Sequence, residues 1–308
     1  MKLEVKNLIK SFAGTEVLHG ISFEVEGGRA LGLLGRNGAG KTTTMRILMD
    51  VFKADSGEIY LDGKTFKPSH EKIGYLPEER GLYPKRTVID QMIYLARLRG
   101  FSTSQAKSNA KKWLTRLGVY EYEARKLETL SKGNQQKVQL AATLVCDPEI
   151  VILDEPFSGL DPVNSQILKE VVGELIDESK LVIFSSHQMS YVEQFCDNIA
   201  IIDQGEVVLQ GDLKEIKKSY GKDRLILSAE NYPLNELNDK LKTDGKYPVK
   251  IHGKTKDYLI LNIEETVTKN DFLTQLIHSD IWIEYFGNYE PSLNDIFVEK
   301  VGEEDEEA

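Results

Sequence analysis

The sequence predicts an α/β domain built on a largely parallel sheet, followed by a small α+β domain. Three observations carry this expectation. Uninterrupted apolar runs at 150–153 and 181–184 are of strand length and lack polar alternation, as in strands buried on both faces. A glycine-rich loop at 35–40 joins the apolar run 30–34 to a helical pattern starting at Lys41, a strand–loop–helix unit. After about residue 220 shorter strand and helix patterns take over.

The elements follow in chain order. Leu3 and Val5, then Ile21, Phe23 and Val25, alternate as strands do. A strand pair spans about 57–63, with Asp62-Gly63 as a turn signal. From 87 to 118 the period becomes helical, with Val88, Met92 and Leu95 on one face, Trp113, Leu114 and Leu117 on another, and Gly118 as the stop. A helix from Pro162 to about Glu178 sets Val163, Ile167, Val171 and Leu175 on one stripe. Further on, strands near 225–227, 249–252, 258–263 and 281–286 and helices near 234–241 and 270–277 give the order βαββαβ, that of a ferredoxin-like sandwich.

Composition narrows the function classes. The chain has 308 residues, 29% charged and 41% hydrophobic, the balance of a globular protein with a real core. It lacks the roughly 20 consecutive apolar residues that a membrane helix needs, and MKLEVKNLIK has no apolar signal-peptide region. A cytoplasmic protein is expected, unless a partner carries it to a membrane. Cys146 and Cys196 lie far apart and read as reduced thiols rather than a zinc site. The net charge is −10, and removing the five acids of the 303–307 run leaves −5. That balance argues against nucleic acid as a partner, and the tail reads as a solvated end.

Gly35-Arg36-Asn37-Gly38-Ala39-Gly40-Lys41-Thr42 matches the phosphate-loop pattern. Its glycines allow successive N–H groups to converge on phosphate oxygens, and the helix beginning at Lys41 adds its positive end. Lys41 supplies a full charge for the β- and γ-phosphates, Thr42 a hydroxyl for Mg²⁺, and Thr43 a further phosphate contact. Downstream, the strand at 150–153 delivers Asp154 and Glu155 at its C-terminal end, where ligands sit in open α/β sheets. Asp154 suits Mg²⁺ and Glu155 suits an attacking water. Two unpaired acids there would be costly without such a partner.

Leu130-Ser131-Lys132-Gly133-Asn134-Gln135-Gln136 resembles the signature sequence of ATP-binding-cassette (ABC) ATPases. Ser158-Gly159-Leu160-Asp161 resembles that family's D-loop, His187 its switch histidine, and Phe12 stands where an aromatic stacks on adenine. Their shared order and spacing, over about residues 2–220, carries the resemblance. It implies a P-loop NTPase with a mixed sheet and a helical subdomain at about 87–135, within an ATPase domain of 1–220. A small α+β accessory domain would occupy 221–300 and an acidic tail 301–308. It also implies a nucleotide sandwich in which Ser131 and Gly133 of one subunit meet the γ-phosphate held by another, in a homodimer or with a similar partner. ATP and Mg²⁺ are the implied cofactors, Glu155, His187 and Lys41 the implied catalytic groups, and Thr42, Glu78 and Asp154 the implied metal set.

The chain departs from the family pattern in places. Glu78, in Gly74-Tyr75-Leu76-Pro77-Glu78-Glu79-Arg80, stands where a glutamine is usual. Lys132 and Asn134 replace a common glycine and glutamine. This string and the extra C-terminal domain resemble ATPase subunits of bacterial sodium-, drug- or peptide-efflux exporters, whose membrane parts are separate polypeptides. Residues 78–100 are then the expected docking surface for a transmembrane permease. The alternatives are a soluble DNA-repair or translation-associated ABC ATPase, or a regulatory ATPase. About 90 residues separate Lys41 from Ser131 without sustained heptads, and a single phosphate loop is present, so the exporter is favoured.

Overall fold

The computed structural model describes residues 1–302 apart from 80, 244–246 and 265. The acidic run at 303–308 lies outside the described residues. The chain divides into two compact units, Met1–Leu213 and Lys214–Ala308.

The first unit opens with a hairpin of β1 (Lys2–Phe12) and β2 (Thr15–Glu26). Its two-residue turn, Ala13-Gly14, has φ of 49° and 87°, the left-handed pair that suits the twist of a tight hairpin. β4 (Ser56–Leu61) and β5 (Lys64–Thr65) complete an antiparallel sheet in the order β2-β1-β4-β5.

The second sheet contains β3 (Ala30–Leu34), β6 (Ile73–Leu76), β7 (Ile150–Asp154), β8 (Leu181–Ser185), β9 (Asn198–Asp203) and β10 (Glu206–Asp212). Their order is β10-β9-β3-β8-β7-β6, parallel throughout except for the β9–β10 pair. Every residue of β3, β7 and β8 is buried, because both faces are covered. The covers differ in kind. Leu31, Leu33, Ile152 and Ile183 share one core with Leu3, Val5, Ile21 and Phe23 of the antiparallel sheet and with Met45 and Leu48 of α1 (Lys41–Leu48). On the opposite face a Cβ at Gly32 would lie 2.7 Å from Val192 of α6 (Met189–Phe195). One cover is therefore a sheet, where strand–helix alternation alone suggests helices.

The helical part consists of α2 (Val88–Leu98), α3 (Thr103–Arg116) and α4 (Lys132–Leu144). Thr87, Ser102 and Ser131 cap them, each side chain accepting a hydrogen bond from a first-turn N–H, which satisfies donors the helix leaves open. Gly118 follows α3 at φ 66°, a conformation that glycine adopts without penalty.

α5 (Pro162–Asp177) buries Ser165, Leu168, Val171, Val172 and Leu175. The expected stripe is corrected at its start, since Val163 is 72% exposed. Two helical positions turn it by about 200° from Ser165, so it points away from the buried face.

In the second unit, β11 (Arg224–Ala229), α8 (Leu234–Thr243), β12 (Val249–Lys254), β13 (Leu259–Ile263), α9 (Lys269–Ile277) and β14 (Ile283–Asn288) follow one another. Their sheet runs β12-β13-β11-β14 with every pair antiparallel, the split-βαβ arrangement. Leu225, Leu227, Leu237, Leu241, Phe272 and Leu276 form its core. Two helices that the periodicity does not reveal flank it: α7 (Leu213–Tyr220) and α10 (Leu293–Val301). α7 belongs with this unit, Lys217 pairing with Glu290 at 3.0 Å, so the compact units part at 213 rather than at 220.

Candidate active site

Parallel pairing gathers the chemistry. β3, β6, β7 and β8 point the same way, so the phosphate loop, the segment holding Glu78, the pair Asp154-Glu155 and the segment holding His187 all leave from one edge of the sheet, where such sheets bind ligands.

Gly35 and Gly40 adopt φ of 154° and 109°, and a Cβ at Gly35 would lie 2.2 Å from the carbonyl oxygen of Ile202. Only glycine fits there. Ala39 and Gly40 are buried, Arg36 is half-buried, and Asn37 and Gly38 are exposed at the loop's crown. The Lys41 ammonium curls into the loop, donating to the carbonyls of Gly35 (2.8 Å) and Arg36 (3.0 Å). Burial lowers its pKa, against the pull of Glu155, Asp154 and Glu78. Thr43 lies beside Thr42, half-buried in the first turn of α1.

Asp154 is 1% exposed and richly bonded. Its Oδ1 accepts from the Ser185 hydroxyl at 2.7 Å and from the Thr42 hydroxyl at 3.4 Å, and its Oδ2 from the Tyr75 hydroxyl at 3.4 Å. Burial and the Asp154 charge push the Tyr75 phenol up to about 12, so at neutral pH it keeps its proton and donates.

Glu155 departs from the strand at φ 49°, an uncommon conformation for a non-glycine residue, of a kind that collects at functional sites. Its N–H donates to the Ser185 hydroxyl at 3.0 Å, and its carbonyl accepts from Ser158 at 3.1 Å. Its carboxylate meets the His187 Nδ1 at 2.9 Å. The Glu155 side chain is 8% exposed and that of His187 52%, a nearly buried carboxylate against a half-exposed imidazole.

Glu78 is exposed, within electrostatic reach of Lys41. Phe12 is 38% exposed and packs edge-to-face on Phe52, centroids 5.1 Å apart. Ser131 and Gly133 make their contacts elsewhere. The Ser131 hydroxyl accepts from the Asn134 N–H at the start of α4. A Cβ on Gly133 would meet the Asn164 amide at 2.6 Å, so the two helix starts abut. Asp161 caps α5, and the hydrogen bonds it accepts from the Asn164 backbone and then side chain hold its carboxyl below the usual range.

Sequence reasoning did not single out Ser185 or Tyr75 for this site. Their signal is positional, since Ser185 is in register with Asp154 and Tyr75 with Ile152.

The family model described as ABC transporter matches residues 18–158, and that described as ATP-binding protein DrrA1-3-like, C-terminal domain, matches residues 211–301. The uncharacterized ABC transporter ATP-binding protein YhaQ of Bacillus subtilis (strain 168) is 41% identical over 97% of this chain and 98% of its own length. The linearmycin resistance ATP-binding protein LnrL of the same organism is 36% identical over 73% of each chain. A solved ATP-binding subunit of an ABC transporter superposes with a TM-score of 0.66 at 28% identity, covering 72% of this chain and 94% of that one. Among the described residues no helix is long and apolar enough to cross a membrane. The chain belongs to the ATP-binding subunits of ABC transporters, the ATPases that couple nucleotide hydrolysis to transport.

Proposed function

We propose that this chain is the motor of an exporter, acting as a pair of ATPase subunits on a separate transmembrane permease at the inner face of the membrane. The observation that carries the mechanism is the Glu155–His187 contact of 2.9 Å beside the Asp154–Thr42 pair. ATP lies along the loop of Gly35, Arg36, Asn37, Gly38, Ala39, Gly40, Lys41, Thr42 and Thr43, with Phe12 against the adenine. Thr42 and Asp154 offer a hydroxyl and a carboxylate, with the Glu78 carboxylate close by. These are hard oxygen donors of the kind Mg²⁺ takes. Bound there, Mg²⁺ supplies positive charge that polarises the phosphate oxygens.

Glu155 orients or deprotonates the attacking water, and His187 steadies that carboxylate and the transferring phosphoryl group. Lys41 neutralises charge that develops on the phosphates. Ser131 and Gly133, at the positive end of α4, close over the γ-phosphate held by the other subunit. The accessory unit carries none of these groups. The resistance activity named for LnrL supports export as the direction.

Glu155→Gln with Mg·ATP tests the pairing, because slowed hydrolysis traps the closed form. A shift to dimer on size exclusion is expected; a monomer at saturating ATP contradicts the sandwich. Capture of that variant from detergent-solubilised membranes is expected to recover a multi-span protein at stoichiometric level. Recovery of ribosomes or nucleic acid instead contradicts the exporter.

A further inference from the structure

Tyr75 has no part in the reading above, yet its hydroxyl points at the most buried carboxylate of the site. Rotation of a carboxylate about its Cβ–Cγ bond moves both oxygens together, so donors on either oxygen add to the restraint on its plane. In Asp154, Oδ1 accepts from Ser185 and Thr42, and Oδ2 accepts from Tyr75. Among the described residues, the phenol is the donor that reaches the second oxygen, at 3.4 Å, and so adds to the restraint on the plane of the group.

Arg46 of α1 lies within electrostatic reach of the Tyr75 phenol, and its guanidinium lies over the Phe52 ring, 6.0 Å from the centroid. Phe52 in turn props Phe12. The Tyr75 ring packs against the apolar core, a role that phenylalanine would fill equally well. The hydroxyl needs another reason, and the Asp154 carboxylate supplies it.

We propose that Tyr75 is a positioning residue whose hydroxyl helps orient the Asp154 carboxylate for the divalent cation of the nucleotide complex. This rests on the assignment of Asp154 to the metal. Outer partners of metal-binding groups act in this way, holding a ligand in the rotation the ion requires.

The test uses the full chain with Mn²⁺ as the probe, its affinity in the presence of ATP read by electron paramagnetic resonance. Tyr75→Phe keeps the ring and removes only the hydroxyl. Its Mn²⁺ affinity is expected to fall about three- to tenfold, the low end for such a partner because the bond is long. ATP binding in EDTA should stay at the wild-type level, which also reports an intact fold. The Mg²⁺ concentration for half-maximal hydrolysis should rise, with kcat recovering at saturating Mg²⁺. Unchanged Mn²⁺ affinity overturns the proposal, as does an equal loss of ATP binding with and without metal. Asp154→Asn, run alongside, separates the two assignments. If it loses Mn²⁺ while Tyr75→Phe does not, only the role of Tyr75 fails; if it too keeps Mn²⁺, the metal assignment of Asp154 fails.

Discussion

The six-stranded sheet of the first unit and the four-stranded sheet of the second solve similar packing problems with opposite consequences. Parallel neighbours bring the ends of β3, β6, β7 and β8 to one edge, so the segments carrying residues 41, 78, 154, 155 and 187 leave from the same edge despite their separation in sequence. The antiparallel sheet of the second unit sends successive strand ends to opposite edges, and its polar groups serve local structure. Ser292 and Asp295 form a capping box for α10, and Thr268 with Asp271 one for α9. One sheet gathers candidate chemistry at an edge; in the other, the polar pairs just named cap helices.

Perturbations should separate the two. The largest effect on binding belongs to Lys41→Ala, which removes the charge inside the loop. ATP affinity should drop about 10- to 150-fold, the worth of a charged hydrogen-bonding partner, in a fluorescent-nucleotide titration. Retained affinity would dissolve the concentration of chemistry at that edge. Leu227→Ala, at a position with no exposure, should destabilise the second unit by about 2–5 kcal/mol in denaturant unfolding. ATP turnover per folded molecule should stay at the wild-type level; a proportional loss would break the division into site and scaffold.

Acid sharpens it further. Lys240 and then Tyr232 bind the Asp280 carboxylate and lower its pKa to about 2. A depressed carboxylate stabilises the fold above its ordinary pKa of 3.8, and that contribution is lost as pH falls toward about 2. Asp280→Asn should flatten this acid limb in unfolding followed by circular dichroism. The smallest effect is expected at Arg116, whose Nε donates to Glu174 at 2.9 Å between α3 and α5. Arg116→Ala should cost under about 1 kcal/mol and less in high salt, as exposed pairs do. A larger loss would make that helix contact structural.

Legibility differed along the same line. The phosphate loop and the Asp154-Glu155 pair are contiguous strings whose chemistry follows from residue type and spacing. Ser185 and Tyr75 reach Asp154 only through strand register, which no local string encodes. Val163 looked apolar and core-bound but lies off the buried stripe of α5. α6, α7 and α10 are of seven, eight and nine residues, and shortness alone did not hide them, since α1 and α9, of eight and nine residues, are legible in the sequence. The cover of one face of the parallel sheet by β1 and β2 is likewise a tertiary fact that periodicity does not report.

The central claim is that Glu155, turned out of the strand toward His187, activates the water that cleaves ATP. The direct measurement is steady-state ATP turnover of Glu155→Gln beside its ATP affinity. Turnover is expected to fall at least about 100-fold while affinity holds. Near-normal turnover in that variant would contradict the account.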